Sequence, residues 1–94
     1  MRTIERSNAF KRDYKHIKTM PRYRKGIDSL LLDIVSLLQA DKALPDHNYD
    51  HPLSGLWCGY RECHVKPDLL LIYKKPDAHT LRLARLGSHS ELFS

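Results

Sequence analysis

The sequence predicts a small α+β domain in which one strand and two helices precede three strands. Three observations carry this. Ile27, Leu30, Leu31, Ile34, Leu37 and Leu38 recur at helical spacing, which marks one buried helix face. Leu69-Leu70-Leu71-Ile72-Tyr73 is apolar throughout, as a central strand covered on both faces would be. Pro67-Asp68 and Pro76-Asp77-Ala78 supply turns on either side of that run. With 94 residues there is room for one domain, spanning 1–94, and one core.

The elements follow in order. Residues 2–6 read as a short first strand. Ser7 or Asn8 can cap a helix, because a short polar side chain accepts from its first free N–H groups. Phe10, Tyr14 and Ile17 then form one apolar stripe, with Lys11, Arg12, Lys15 and Lys18 on the other faces. Pro21 ends this helix or starts the next. The second helix carries the strongest stripe of the chain and fades near Ala40–Lys42. Residues 41–55 form a long connection containing His47, Tyr49, Asp50 and His51, and loops of this length usually serve a purpose. Residues 56–65, 69–74 and 79–86 read as strands. Residues 88–93 form a closing turn or short helix.

Cys58 and Cys63 are expected to share a strand. Five strand residues separate them by about 16 Å and put them on opposite faces, so no disulfide is expected between them. Two thiols of this kind suit a reducing compartment. No run approaches about 20 apolar residues, so no membrane span is expected. The start, Met1-Arg2-Thr3-Ile4-Glu5-Arg6, lacks the apolar stretch of a signal peptide, which makes the cytoplasm the expected location.

The net charge of +5 is uneven. Residues 1–25 hold nine Lys/Arg and two acids, whereas the rest of the chain holds seven Lys/Arg and nine acids. So basic a first quarter suits docking on a nucleic-acid backbone or an acidic partner. A solvated helix face is the plainer account of the same charges.

The chemistry concentrates in three histidine phrases: Asp50-His51-Pro52-Leu53-Ser54-Gly55, His64-Val65-Lys66-Pro67-Asp68, and Gly87-Ser88-His89-Ser90-Glu91-Leu92-Phe93. Histidine moves protons in either direction near neutral pH. Three of them beside an Asp, two Arg and a late Phe point to acid–base chemistry on a phosphate-bearing substrate. Each has a plainer role as well: a turn bond for His51, packing for His64, a strand cap for His89, a turn for Asp68, a core plug for Phe93. Trp57 and Tyr60 read as core or core-edge residues, and His16, His47 and His79 as surface.

The phrases Asp-His-Pro-Leu-x-Gly, Gly-Tyr-Arg-x-x-His-Val-x-Pro-Asp, Leu-Ile-Tyr and Gly-x-His-x-x-Leu-Phe, in this order, resemble the YafQ branch of the RelE family. The resemblance covers essentially the whole chain. It implies a RelE-like fold, in which the last three strands run antiparallel and complete one sheet with the first. It implies the toxin half of a bacterial type II toxin–antitoxin pair, a ribosome-dependent endoribonuclease. It maps the active residues onto His51, His64, Asp68, His89 and Phe93. It also implies an antitoxin from the same operon, the ribosome and mRNA as partners, and operator DNA reached through the antitoxin; Lys11, Arg12, Lys15 and Lys18 are the residues expected to dock on the ribosome.

RNA cleavage by the neighbouring 2′-OH needs a base, an acid and cations, and no cofactor. His51, His64 and His89 can supply base and acid, with Asp68 as base or as an orienting carboxylate. Arg61 and Arg85 are added on electrostatic grounds, as forked donors to phosphate, although on a regular strand Arg85 shares the side of Leu83 and would then be structural. Phe93 offers a ring for a splayed base. Two other classes remain open: a metal-dependent hydrolase built on the His/Asp cluster, and a binding module of a repressor complex without catalysis.

Overall fold

The computed structural model describes residues 1–93. Strand β1 (Thr3–Arg6) is followed by helices α1 (Asn8–Thr19) and α2 (Ile27–Gln39). After a 3-10 turn at Asp46–Asn48 come a two-residue strand β2 (His51–Pro52), a second 3-10 turn (Gly55–Trp57), β3 (Arg61–Lys66), β4 (Leu69–Lys74), β5 (Thr80–Gly87) and α3 (His89–Phe93). One sheet has the order β1-β5-β4-β3-β2. β1 runs parallel to β5 and the remaining neighbours are antiparallel.

Capping and edge contacts set α1. The Ser7 hydroxyl accepts from the Phe10 N–H at 2.9 Å and donates to the Ala84 carbonyl at 2.7 Å. One side chain thus starts the helix and ties it to β5, as the expected cap at Ser7 requires. Further along, Asp13 accepts from the Leu86 N–H at 3.0 Å. Beyond the end of β1, side chains of α1 therefore satisfy the open edge of β5. Gly26 turns the chain into α2 at φ 72°, where an L side chain is strained.

The two sheet faces differ. Phe10, Ile17, Ile27, Leu31, Ile34 and Leu38 pack on Cys63, Leu69, Leu71, Tyr73, Leu81 and Leu83 in the main core. The opposite face carries Leu70, Ile72 and Ala84, covered by Leu92 of α3, with Leu53, Trp57, Tyr60 and Phe93 at its margin. β4 is the buried central strand, as its apolar run predicts.

The expected strand over 56–65 is shorter. It begins at Arg61, because the 3-10 turn and Gly59 at φ 93° break the extended chain before it. Cys58 consequently lies off the strand and exposed, while Cys63 is buried; both are free thiols. The connection over 41–55 contributes β2, so the sheet gains a strand.

Candidate active site

Register brings two histidines to one face. His51 pairs with Glu62, and Glu62 with Ile72 on β4. His64 pairs with Leu70, which pairs in turn with Gly87. Paired residues share a face, and residues two apart on a strand share it too. His51, Glu62 and His64 therefore stand together on the Leu70–Ile72 side, away from α1 and α2.

Each ring is fixed by a backbone carbonyl. Nδ1 of His51 lies 2.6 Å from the Tyr49 carbonyl, and Nδ1 of His64 lies 3.1 Å from the Pro67 carbonyl. A carbonyl only accepts, so Nδ1 donates in both rings and Nε2 is left free to gain or lose a proton. Both Nε2 atoms face one carboxylate oxygen: Glu62 Oε1 is 3.5 Å from His51 Nε2 and 3.9 Å from His64 Nε2. Glu62 itself is buried.

α3 adds the third histidine. Leu92 anchors the helix over Leu70, Ile72 and Ala84, on the face that carries His51 and His64. His89 opens the helix, exposed, with its ring 5.0 Å from the half-buried Phe93 ring.

Asp68 occupies the two-residue turn between β3 and β4, next to Pro67. Its Oδ2 accepts from the Tyr23 hydroxyl at 2.9 Å and pairs with the Arg22 guanidinium. Burial, then this bond to Asp68, raises the Tyr23 hydroxyl above its ordinary value. The carboxylate is engaged with the segment between α1 and α2, and it braces the turn whose Pro67 carbonyl orients His64.

The two arginines do not join the histidines. Arg61 pairs with Tyr73, whose ring belongs to the main core, so Arg61 faces the helix side. There it donates to Asp50 at 3.2 Å, and the Tyr73 hydroxyl donates to the same oxygen at 2.6 Å. Arg85 lies across from Ile72, but its guanidinium forks onto both oxygens of Asp13, at 2.7 and 3.1 Å. The sheet register shifts between Ile72 and Tyr73, where Ala84 has no partner, and regular alternation is lost there.

Of the basic residues of α1, Lys11, Arg12, Lys15 and Lys18 are all exposed. Lys18 also pairs with Asp28 on α2 at 2.6 Å, and with Tyr14 it holds that carboxyl below its ordinary range. Among the described residues no group of three or more His, Cys, Asp or Glu is gathered closely enough to hold a metal ion. No helix among them is long and apolar enough to cross a membrane.

Sequence reasoning missed Glu62 and Tyr49. Glu62 was visible as an acid two positions before His64, hence on the same strand face. Nothing local marks Tyr49, whose role comes from a left-handed backbone at φ 47°.

Comparison with known proteins identifies the family. The "mRNA interferase toxin YafQ" of Escherichia coli K12 is 39% identical over 92 residues, covering 98% of this chain and 96% of that protein. The crystal structure of the E. coli DinJ–YafQ complex superposes with a TM-score of 0.84 at 38% identity, covering all of both chains. A metal-bound toxin from Helicobacter pylori gives 0.83 at 44% identity, over 99% of this chain and 100% of that one. The profile of the family "Bacterial toxin of type II toxin-antitoxin system, YafQ" matches residues 2–94. This chain belongs to the YafQ family of toxins.

Proposed function

We propose that this protein is an mRNA-cleaving toxin that cuts translated messages on the ribosome, using its own side chains rather than a metal. One observation carries the reading: His51 and His64 present free Nε2 atoms to one buried carboxylate, each ring locked through Nδ1 on a carbonyl. One ring takes the 2′-OH proton. The 2′-oxygen attacks phosphorus, the bond to the 5′-oxygen breaks, and an acid protonates that oxygen. His51 suits the base and His89 the acid. An imidazolium at His64, balanced by Glu62, stabilises charge on the phosphorane. Asp68 acts through the turn that orients His64, and Phe93 offers a ring edge to a splayed base.

Lys11, Arg12 and Lys15 of the exposed α1 surface suit ribosomal RNA. The partner is an antitoxin made from the same operon, as DinJ is found with its YafQ, and operator DNA would be bound through the antitoxin's other domain. An apolar groove of 440 Å³ between β1, α1 and α2, lined in part by Ile4, Phe10, Leu32 and Val35, suits an amphipathic segment of that antitoxin. Translation places the toxin in the cytoplasm.

The test is induction in a bacterial host with growth measured and RNA ends mapped. Growth arrest with cuts at codon-registered positions supports the reading. Normal growth with intact messages rejects it. Cleavage that EDTA stops and zinc restores would favour the metal-dependent hydrolase.

A further inference from the structure

A 400 Å³ cleft opens beside His64, lined by His47, Tyr49, Val65, Lys66 and Pro67 as well as His64 itself. Its size falls among small-ligand sites, about 300–1,000 Å³. The Tyr49 ring stands 5.3 Å from the His64 ring, tilted by 60°. It is 66% exposed and belongs to neither core cluster.

The backbone that presents this ring is strained. Tyr49 sits at φ 47°, a left-handed conformation unusual for a bulky aromatic residue. The strain is held by bonds on either side. The Tyr49 N–H donates to the Asp46 carbonyl at 3.0 Å, and the Tyr49 carbonyl accepts from Nδ1 of His51 at 2.6 Å. Neighbouring Asn48 donates to the His64 carbonyl at 2.8 Å. The residue that orients one histidine thus projects an open ring beside the other. Lys66 lines the same cleft, and its ammonium donates to the Lys25 carbonyl at 2.8 Å.

We propose that this cleft is a nucleobase subsite, in which a base next to the scissile phosphate stacks on Tyr49 with Lys66 near the adjoining phosphate. The proposal rests on the RNA-cleavage reading above. Single-stranded RNA is commonly read by splaying a base onto an aromatic ring. A ring held against His64 would fix how the strand passes the reacting 2′-OH, and would make Tyr49 a determinant of cut-site preference.

Two variants separate the ring from the backbone. Tyr49→Asn removes the ring but accepts the left-handed conformation, since Asn is enriched there. Tyr49→Phe restores the ring. Purified protein would be assayed on translating ribosomes with cut positions mapped, and titrated with the four ribonucleoside 3′-monophosphates by amide NMR. The expected result is a half-maximal concentration about tenfold higher for Tyr49→Asn, a flattened base preference beside the cut, and recovery of both in Tyr49→Phe. Nucleotides should shift the amides of residue 49, His64 and Lys66 in the wild type, and reach the same shifts in Tyr49→Asn only at about tenfold higher concentration. Unchanged cut sites and concentration dependence in Tyr49→Asn would overturn the proposal. If the wild type cuts no RNA, the cleavage reading fails and the titration alone decides: absent binding, or binding unaffected by Tyr49→Asn, rejects the subsite.

Discussion

Nε2 of His51 lies 3.5 Å from Oε1 of Glu62, a buried carboxylate on the neighbouring strand. The same oxygen is 3.9 Å from Nε2 of His64. In the proposed mechanism Glu62 is the carboxylate that both proton-transfer rings share. Glu62→Gln keeps the shape of the side chain and removes its charge. Cleavage should fall on the order of 10²-fold, while thermal unfolding and antitoxin binding stay close to wild type. Full activity in Glu62→Gln would reduce Glu62 to a packing residue.

Removing a ring should cost more than removing its support. His51→Ala, His64→Ala and His89→Ala should each lower cleavage about 10²–10⁴-fold. Arg22→Ala leaves every histidine in place and loosens only the Asp68 turn, so a milder loss is expected, about tenfold in rate. Asp68→Ala should lose more than Arg22→Ala, because it also frees the Tyr23 hydroxyl. Growth after induction ranks these variants, and circular dichroism checks their folding.

Charge reversal on α1 should separate docking from chemistry. Lys11→Glu, Arg12→Glu and Lys15→Glu together should weaken ribosome binding and lower its salt sensitivity. Lys18→Glu should act differently, since Lys18 already serves Asp28. It should disturb the α1–α2 contact and lower stability slightly. Equal loss of ribosome affinity in Lys18→Glu alone would place Lys18 back in the docking surface.

Stability should fall in alkali, with a sign set by buried protons. Burial pushes the Cys63 thiol from its ordinary 9.0 up to about 12. Burial, and after it the bond to Asp50, also raises the Tyr73 hydroxyl above its ordinary 10.0. Both folded values exceed the unfolded ones, so the stability they contribute is complete below pH 9. Cys63 loses it between pH 9 and 12, at about 1.4 kcal/mol per pH unit. Tyr73 adds to the loss above pH 10. Urea midpoints at pH 8, 9 and 10 should drop accordingly. Cys63→Ala should be weaker at every pH, yet flatter between 9 and 10.

How far these features were legible depends on whether their cause is local. The stripe Ile27–Leu38 and the apolar run Leu69–Tyr73 fix their elements through short-range spacing, and both elements appear where expected, but Leu30 of the stripe is exposed and Val35, outside it, is buried. His51 and His64 come together because their phrases fall on neighbouring strands. Parity alone would have sent Arg61 to the far side of β3 from Glu62 and His64, a signal present in the sequence and overlooked. Parity likewise puts Arg85 on the side of Leu83, which marks it as a structural residue; what was not legible is its partner, Asp13, which comes from a different element. Asp68 reads as a turn residue, but its bracing comes from Arg22 and Tyr23, more than forty positions away. Contacts of that range follow from the packed fold and leave no local pattern.

In the proposed mechanism histidine side chains, not a metal-bound water, drive attack by the 2′-OH. The most direct measurement is the chemistry of the RNA ends produced by purified protein on translating ribosomes, with the protein stripped by chelator beforehand. Cleavage should be undiminished and leave a 2′,3′-cyclic or 3′-phosphate on one fragment and a 5′-OH on the other. A 5′-phosphate product, or activity that returns only when zinc is added, would contradict it.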